Sequence, residues 1–444
     1  MLMDVFTTTG DRAALLAHRR HTLSALFRDN AYPTLTVDAA HTHQSMDGFG
    51  FSLTGGSAML IARLAPSARQ DLLRELFTRD GRGIGVSFLR LTIGASDLST
   101  KSYSYNDLPP GQTDFSLSRF DIMAGDEHVI PVLKDILSIN PDIRIMASPW
   151  SAPPWMKDNG SFVGGSLKPD CYDVYARYLV RYLETMKSHG IPVHAMTLQN
   201  EPHNHKNDPS MVMTASAQAD FIQNHIGPML QKSGLNTQIL CWDHNCDEPD
   251  YPVAVLSDPA VKRYVTGVAF HLYNGGPEAL SQVQALHPDQ KMYLTEQWVG
   301  ADGNFRDDLA WHARNVFIGV MRNGGRAVLE WNLASDPACG PHTPGGEPHC
   351  VGALTIDDQS ITRNVAYYLI GHAAKFIPPG SVRVESNDHD ILRNVAFHTP
   401  DGRMVMMVLN DSDRNQRFNI RHGEKQATIT LKAGAVSTCS WSAP

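Results

Sequence analysis

Eight short apolar runs with strand character recur between residues 44 and 334, and stretches with helical periodicity separate them. The runs cover residues 44–55, 85–94, 143–150, 193–200, 237–245, 265–273, 291–298 and 326–334. Amphipathic helices are predicted at residues 65–77, 130–139, 172–186, 213–230, 307–321 and 363–376. This regular alternation of strands and helices predicts an α/β fold, and specifically a (β/α)8 TIM barrel.

An open, doubly wound sheet is the alternative α/β arrangement, and it normally carries a glycine-rich phosphate turn after its first strand. The run GFGFSLTGG (48–56) supplies the glycines. No acidic residue stands at the end of a suitable second strand, so the sequence does not favour a nucleotide site. The barrel is therefore the preferred prediction.

Both ends of the chain depart from this pattern. DVFTTT (4–9) and TLTVDA (34–39) have strand character, and a helix is predicted between them over residues 12–27. After residue 380 the helical periodicity stops, and short strands with hairpin turn signals follow. We predict a side antiparallel β-sandwich built from both chain ends. Residues 1–42 contribute to it, residues 43–376 form the barrel, and residues 377–444 complete the sandwich.

Composition narrows the range of partners and compartments. Of 444 residues, 42% are hydrophobic and 19% are charged, which supports a large packed core. The net charge is -8 without a basic cluster, so nucleic acid and anionic membranes are not expected partners. No apolar run reaches the roughly 18 residues of a membrane-spanning helix. No signal peptide is recognised, which predicts a cytoplasmic protein, or a periplasmic or secreted one if a signal has been removed.

The six cysteines show no CxxC pair, so a zinc site is not predicted. Cys339 and Cys350 flank a loop rich in glycine and proline and are candidates for a disulfide in an oxidising compartment. Six free thiols are the favoured interpretation, because no secretion signal is recognised.

Two glutamates follow apolar strands in similar surroundings. Glu201 stands near the end of the run VHAMTLQNEP (193–202). The strand should stop at Pro202, because proline has no N–H to donate to a neighbouring strand. Glu296 ends a second such run, beside an aromatic residue. The carboxyl ends of barrel strands converge on one face, where these folds carry their chemistry. Two carboxylates there, surrounded by tryptophan, indicate paired-carboxylate chemistry on a sugar.

The other predicted strand ends are also rich in polar and aromatic residues. An asparagine beside Glu201 is suited to hydrogen-bonding a sugar 2-hydroxyl, and tryptophan offers flat apolar faces to sugar rings. The residues expected to bind substrate are Arg90, Asp97, Trp150, Asn200, His271, Tyr273, Trp298 and Trp331. Eight consecutive strand ends of this kind are hard to explain by packing alone.

Several of these residues also have a simpler interpretation. A single glutamate after a strand is commonly a surface or salt-bridged residue. Arg90 and Asp97 are candidates for a plain ion pair, and His271 for a core histidine with satisfied nitrogens. Glu330 points to the opposite face of its strand from its neighbours, so we interpret it as structural.

No metal or cofactor is predicted. The group His203, His205, Asp243 and His244 has the right residue types, but its spacing fits no common ligand motif. Two alternatives from other classes remain open. One is a non-catalytic carbohydrate-binding barrel, which the presence of both glutamates disfavours, and the other is a metal-dependent hydrolase.

Seven motifs, in order along the chain, resemble glycoside hydrolase family 30, the glucosylceramidase-like retaining β-glycosidases. They are DGFGFSLTGGSAM (47–59), FLRLTIGASDLS (88–99), SPWSAPPWMK (148–157), TLQNEP (197–202), AFHLY (269–273), TEQW (295–298) and LEWNLA (329–334). The C-terminal run NVAFHTPDGRMVMMVLND is similar to the family's sandwich. The resemblance implies a barrel with a side sandwich built from both chain ends, and no cofactor.

The resemblance also implies roles for individual residues. Glu201 matches the acid/base and Glu296 the nucleophile, while Arg90, Asp97, Trp150 and Trp331 match the sugar-binding subsite. The implied activity is hydrolysis of β-glucosidic bonds in a glucoside or glucan by double displacement. The loop at residues 340–357 is more similar to microbial members, so endo-β-1,6-glucanase and β-xylosidase are alternative activities.

Overall fold

Eight parallel strands close into a barrel in the computed structural model, which describes residues 2–24 and 30–443. Barrel strands one to eight are Gly48–Leu53, Phe88–Ile93, Arg144–Pro149, Ala195–Thr197, Gln238–Asn245, Val265–His271, Lys291–Glu296 and Gly325–Asn332. They follow one another around the barrel in chain order, and strand eight pairs in parallel with strand one. The predicted (β/α)8 TIM barrel is confirmed.

The strands are apolar throughout because both of their faces are buried, one in the barrel interior and one under the helices. Inward side chains from barrel strands two to eight fill the interior, and Phe88, Met146 and Tyr293 are among them. Apolar packing therefore fills the barrel interior, and the polar side chains lie at the carboxyl ends of the strands.

Helices and short helical turns connect the barrel strands. The α-helices are Gly55–Arg63, Pro66–Phe77, Val129–Ile139, Tyr172–Ser188, Ala215–Phe221, Gly227–Ser233, Asp250–Leu256, Pro259–Lys262, Glu278–Leu286, Phe305–His312, Val320–Arg322 and Val365–Ala374. Two π-helical segments, Ile222–Ile226 and Ala313–Gly319, join neighbouring helices. In Tyr172–Ser188 the buried tyrosines fall at helical spacing, as the amphipathic pattern predicts.

A nine-stranded sheet forms the side domain. Its strands, in spatial order, are Ala17–Thr22, Leu2–Thr8, Val436–Ser442, Arg403–Asn410, Leu392–His398, Val382–Ser386, Thr34–Ser45, Gln416–His422 and Lys425–Leu431. The long strand Thr34–Ser45 lies between two C-terminal strands and pairs with both. The two ends of the chain therefore share one domain, and the expected pairing of residues 34–39 with strands after residue 380 is observed.

The helix expected over residues 12–27 is wrong where the structure describes it. Ala17–Thr22 is instead a strand that pairs antiparallel with Leu2–Thr8, and residues 25–29 lie outside the described part. The helical pattern is short, and the adjacent strand offers a full set of backbone partners, so sheet pairing overrides the local preference.

The last barrel helix, Val365–Ala374, connects the barrel to the sandwich through hydrogen bonds. Its His372 is fully buried and hydrogen-bonds through both ring nitrogens, to Thr8 at 2.9 Å and Thr438 at 3.0 Å. Arg314 forms an ion pair with Asp411 across the same boundary. Sequence from both chain ends is thus tied to the barrel.

Short strands extend the loops at the top of the barrel. Val299–Gly300 pairs with Cys350–Val351, and Ala334–Ser335, Leu354–Asp357 and Ser360–Arg363 form a small sheet. All six cysteines, including the Cys339 and Cys350 disulfide candidates, are free thiols. None of the helices described is long and apolar enough to cross a membrane.

Candidate active site

A cavity of about 520 Å³ opens where the carboxyl ends of the barrel strands meet. Eight of the ten residues predicted for the site line it: Asp97, Trp150, Asn200, Glu201, Tyr273, Glu296, Trp298 and Trp331. The other two, Arg90 and His271, are fully buried and do not reach the cavity surface. The two glutamates thus share one chamber with three tryptophans.

Glu201 owes its position to an unusual turn at the end of strand four. Its backbone is left-handed, with φ of 47°, and its amide donates to the Asp243 carbonyl at 2.9 Å. This conformation is rare for a side-chain-bearing residue and is tolerated where the surrounding structure fixes it. The turn leaves the carboxyl group buried, with Oε2 accepting from Asn204 at 2.8 Å and Oε1 lying 3.1 Å from Nδ1 of His271.

Glu296 is the last residue of strand seven. A guanidinium nitrogen of Arg90 donates to its Oε2 at 2.5 Å, and the Tyr273 hydroxyl donates to its Oε1 at 2.8 Å. Burial raises the pKa of Glu296 above its usual range, and the positive charges of His271 and Arg90 oppose that rise. Donors on both oxygens stabilise the ionised carboxylate.

The two carboxyl groups are close together. An oxygen of Glu201, an oxygen of Glu296 and a ring nitrogen of His271 all lie within 4.8 Å of one another. Retaining glycosidases place their carboxyl groups about 5–5.5 Å apart, whereas inverting enzymes need about 6.5–9.5 Å to admit a water molecule. The spacing matches the retaining arrangement.

Asp243, at the end of strand five, fixes the orientation of His271. Four donors surround its carboxylate: Arg90 at 2.9 Å, Thr197 at 2.6 Å, Thr295 at 2.7 Å and the His271 Nε2 at 3.0 Å. The Arg90 charge holds the pKa of Asp243 well below its usual range, against the effect of burial. An ionised Asp243 can only accept, so the Nε2 of His271 carries a proton.

It follows that a single proton lies between His271 and Glu201. If the ring is neutral, its Nδ1 is an acceptor and Glu201 must supply the proton; if the ring is charged, Nδ1 donates to an ionised Glu201. Burial raises the pKa of Glu201, but the hydrogen bond and charge of His271, the charge of His244 and the hydrogen bond from Asn204 together outweigh it and bring that pKa to about 2. Burial would lower the pKa of His271, yet the Glu296 charge and the bonds to Asp243 and Glu201 raise it to about 9. In the unliganded enzyme the shared proton therefore rests on His271.

Arg90 lies beneath the cavity floor rather than in its wall. Besides Glu296 and Asp243, it donates to Asn200 at 2.8 Å and to Ser148 at 3.3 Å. Arg90 and His271, both predicted to bind substrate, hydrogen-bond to Glu296 and Glu201, the carboxylates that line the cavity. Strand alternation indicates that these side chains point into the barrel, but it does not give their depth.

Three tryptophans form the apolar part of the cavity. The rings of Trp150 and Trp331 stack at 5.2 Å between centroids with 24° between their planes, and Trp298 packs against them. The Arg90 guanidinium lies 4.8 Å from the Trp150 ring and 5.6 Å from the Trp331 ring, and it also contacts Glu296. Such faces are suited to the apolar surface of a sugar ring.

Asp97 is a third carboxyl group in the cavity wall. Burial, together with the negative charges of Glu296 and Glu201, raises its pKa to about 7. Asp97 forms no ion pair with Arg90, whose carboxylate partners are Asp243 and Glu296. Near neutral pH, Asp97 is therefore able both to donate and to accept a hydrogen bond.

Two sequence-family models cover this architecture. The glycosyl hydrolase family 30 TIM-barrel domain matches residues 46–377, and the family 30 β-sandwich domain matches residues 380–439. The chain belongs to glycosyl hydrolase family 30. It is a glycoside hydrolase, which sets aside the non-catalytic barrel considered from the sequence.

Endo-1,6-β-glucanases and glucosylceramidases are among the proteins similar to this chain. An endo-1,6-β-D-glucanase of Aspergillus fumigatus is 34% identical over 429 residues, which cover 90% of this chain and 84% of the relative. The lysosomal acid glucosylceramidase of Mus musculus is 29% identical over 437 residues, covering 92% and 83%. A solved endo-β1,6-glucanase structure has a TM-score of 0.92 at 30% identity and covers 100% of this chain and 99% of its own. The predicted family, fold class and enzyme class are confirmed.

In this family 30 enzyme the glutamate pair and His271 are also near enough to be considered as metal ligands. The chemistry of the site disfavours a cation there. Both nitrogens of His271 are occupied by carboxylates, and the Arg90 charge already contacts Glu296. The structure thus gives no support to the metal-dependent alternative.

Sequence reasoning missed part of the cavity. The additional lining residues are Asn204, Lys206, Asn207, His244, Asn245, Gly345, Gly346 and Glu347. His244 and Asn245 close strand five, so their position at a strand end was an available signal. Glu330, interpreted as structural, hydrogen-bonds to His312 at 2.8 Å and does not line the cavity.

Proposed function

We propose that this enzyme hydrolyses β-glucosidic bonds with retention of configuration, with Glu296 as the nucleophile and Glu201 as the acid/base. The observation that carries the proposal is the approach of the two carboxyl groups to within 4.8 Å. The unequal surroundings of the two groups support the assignment of roles. Glu296 accepts from a permanent cation, whereas Glu201 shares a proton with His271.

In the first step, a Glu296 oxygen attacks the anomeric carbon, and the bond to the glycosidic oxygen breaks. The proton held on His271 passes to Glu201 and from there to the departing oxygen, which leaves as an alcohol, and His271 becomes neutral. The Arg90 and Tyr273 hydrogen bonds keep Glu296 ionised before attack. The product of this step is a glycosyl ester on Glu296 with Glu201 ionised.

In the second step, Glu201 removes a proton from water, and the water oxygen attacks the anomeric carbon on the same face that the leaving group occupied. The ester bond to Glu296 breaks, and Glu296 regains its charge. Two inversions give net retention. The proton taken from water returns the Glu201–His271 pair to its starting state.

His271 acts through Glu201 in this scheme, and it is a positioning residue. It is fully buried and does not line the cavity. It stores the proton that Glu201 delivers, and Asp243 holds its ring in the one tautomer that allows this. The leaving oxygen takes a proton from the Glu201–His271 pair in the first step, and water gives one back to the pair in the second step.

Among β-glucosidic substrates, we propose a β-1,6-linked glucan. The Aspergillus fumigatus relative, at 34% identity, is named as an endo-1,6-glucanase, and a solved endo-β1,6-glucanase structure matches the whole chain. The cavity also supports this choice, because asparagines, a lysine and glutamates line much of it. A lipid-linked glucoside such as glucosylceramide is the second candidate, from the Mus musculus relative.

A substrate panel tests the proposal. It contains aryl β-glucosides, β-1,6- and β-1,3-glucans, an aryl β-xyloside and glucosylceramide in mixed micelles. We expect the highest kcat/KM on β-1,6-glucan and a first-formed product in the β configuration by proton NMR. An α product refutes retention, and preference for glucosylceramide or xyloside refutes the substrate assignment.

A further inference from the structure

We infer that residues 204–207 form the subsite for the leaving group, and that Lys206 selects a hydroxyl-rich sugar there. This inference rests on the proposed function, because it takes Glu201 as the group that protonates the leaving oxygen. Asn204, Lys206 and Asn207 all line the cavity.

The connection to Glu201 places this segment on the leaving-group side. Asn204 donates through Nδ2 to Glu201 Oε2 at 2.8 Å, and its amide donates to the Glu201 carbonyl at 2.8 Å. An acid/base must lie beside the oxygen that it protonates. Residues held against Glu201 therefore surround the leaving group.

Lys206 is the one lysine or arginine in the cavity lining, and the other charged side chains there are the carboxyl groups of Asp97, Glu201, Glu296 and Glu347. It is exposed, and no carboxylate of the residues described lies within ion-pair distance of its ammonium group. Three donors without a fixed partner are suited to the hydroxyl oxygens of a sugar.

The segment is held rigidly before substrate arrives. Asn204 Oδ1 accepts from the amides of Lys206 at 3.1 Å and Asn207 at 3.2 Å. Next along the chain, Asp208 accepts from Ser102 at 2.6 Å, and its carbonyl accepts from Thr343. Loops from three parts of the barrel thus fix the backbone that carries Lys206, which lowers the ordering cost of binding.

The chemistry of this side favours a sugar over a lipid leaving group. Asn204 and His244 lie close to Glu201, and Lys206, Asn207 and Asn245 are further polar residues of the lining. No aliphatic side chain belongs to this part of the lining as described, so an acyl chain would find no apolar surface. The expected occupant is a second glucose unit.

The test uses an activated 2-deoxy-2-fluoro-β-glucoside, which forms a long-lived glycosyl-enzyme. Its reactivation is followed with water alone, with gentiobiose and with 1-hexanol as acceptors. Lys206→Met keeps the length of the side chain and removes its charge, and Lys206→Arg restores a cation. Lys187→Met, on the exposed last turn of Tyr172–Ser188, is the control.

We expect Lys206→Met to bind gentiobiose about tenfold more weakly as an acceptor, the value of one hydrogen bond to a charged group. The effect of Lys206→Met on reactivation by 1-hexanol should be much smaller than its effect on gentiobiose. The Lys187→Met control should keep both, together with kcat/KM on dinitrophenyl β-glucoside, within twofold of wild type. Lys206→Arg should recover most of the acceptor binding. Unchanged gentiobiose binding in Lys206→Met overturns the inference alone, whereas the absence of any glycosyl-enzyme overturns the proposed function and the inference with it.

Discussion

Replacing Asp243 by asparagine should disable acid catalysis without touching a residue of the cavity wall. Asp243 is fully buried and accepts from Arg90, Thr197, Thr295 and His271. An asparagine amide is able to donate to the Nε2 of His271, which places the ring proton on Nδ1. The ring is then neutral and cannot release that proton, because an imidazolate would result, so Glu201 stays ionised and has no proton to give to the leaving oxygen.

The substitution should lower both the free energy of unfolding and the rate of acid catalysis, because Asp243 contributes to each. Loss of one partner from a buried ion pair with Arg90 costs about 3–5 kcal/mol of the free energy of unfolding. Loss of general acid catalysis costs about 10²- to 10⁴-fold in rate where the leaving group needs protonation. A dinitrophenolate leaving group hardly needs a proton, so its departure should slow by less than tenfold.

The assay compares kcat/KM for alkyl and 2,4-dinitrophenyl β-glucosides in wild type and Asp243→Asn, at a temperature well below the lowered unfolding midpoint. Urea unfolding measures the loss of stability. Asp142→Asn, at an exposed position before strand three, is the control and should change neither quantity. Equal losses on the two substrates would refute the tautomer argument, because they would indicate a general distortion of the site.

Three further predictions follow from the same structure. In Glu201→Ala, formation of the glycosyl-enzyme from dinitrophenyl β-glucoside should survive, so the glycosyl-enzyme should accumulate and KM should fall. Added azide should give the β-glycosyl azide. An α-azide from this variant would reverse the assigned roles. Asp97→Asn should lose the pH dependence that this carboxyl adds to the free energy of unfolding. Burial raises the pKa of Asp97 to about 7 in the folded protein, so the stability that the protonated carboxyl contributes is complete below about pH 4 and is lost as pH rises to about 7, by up to about 4 kcal/mol. In urea titrations the free energy of unfolding should fall over this range by more in the wild type than in the variant, and the variant should be the more stable protein at pH 8. Deleting residues 1–42 should give insoluble protein, because Leu2–Thr8 and most of Thr34–Ser45 supply strands inside the nine-stranded sheet; a soluble, folded product would show that the C-terminal strands suffice.

The barrel was predictable because each of its strands is apolar on both faces and each is followed by a stretch of helical periodicity. The same reasoning located Glu201 and Glu296, since both stand where an apolar run ends. It failed at residues 17–22, where a strand edge supplied by residues 2–8 decides the conformation. Local periodicity carries no information about a partner strand that becomes available only in the folded chain.

The depth of side chains in the barrel also lay beyond the sequence. Arg90 and His271 occupy strands whose alternation points them inward, but only the assembled barrel shows that they hydrogen-bond to Glu296 and Glu201 and do not line the cavity. The loop at residues 343–347 was missed for a related reason. A Cβ at Gly346 would meet the Asp97 carbonyl at 2.5 Å, so this loop reaches the cavity through a close approach between segments far apart in sequence.

The identity of the residue that carries the covalent intermediate tests the central claim most directly. Brief treatment with 2-deoxy-2-fluoro-β-glucosyl fluoride, followed by peptic digestion and tandem mass spectrometry, locates the bound sugar. The account predicts one adduct, an ester on Glu296 within the sequence TEQW (295–298), and its loss on hydrolysis should restore activity. An ester on Glu201 would contradict the assigned roles of the two glutamates. Turnover without inactivation, and with no adduct on either glutamate, would contradict double displacement.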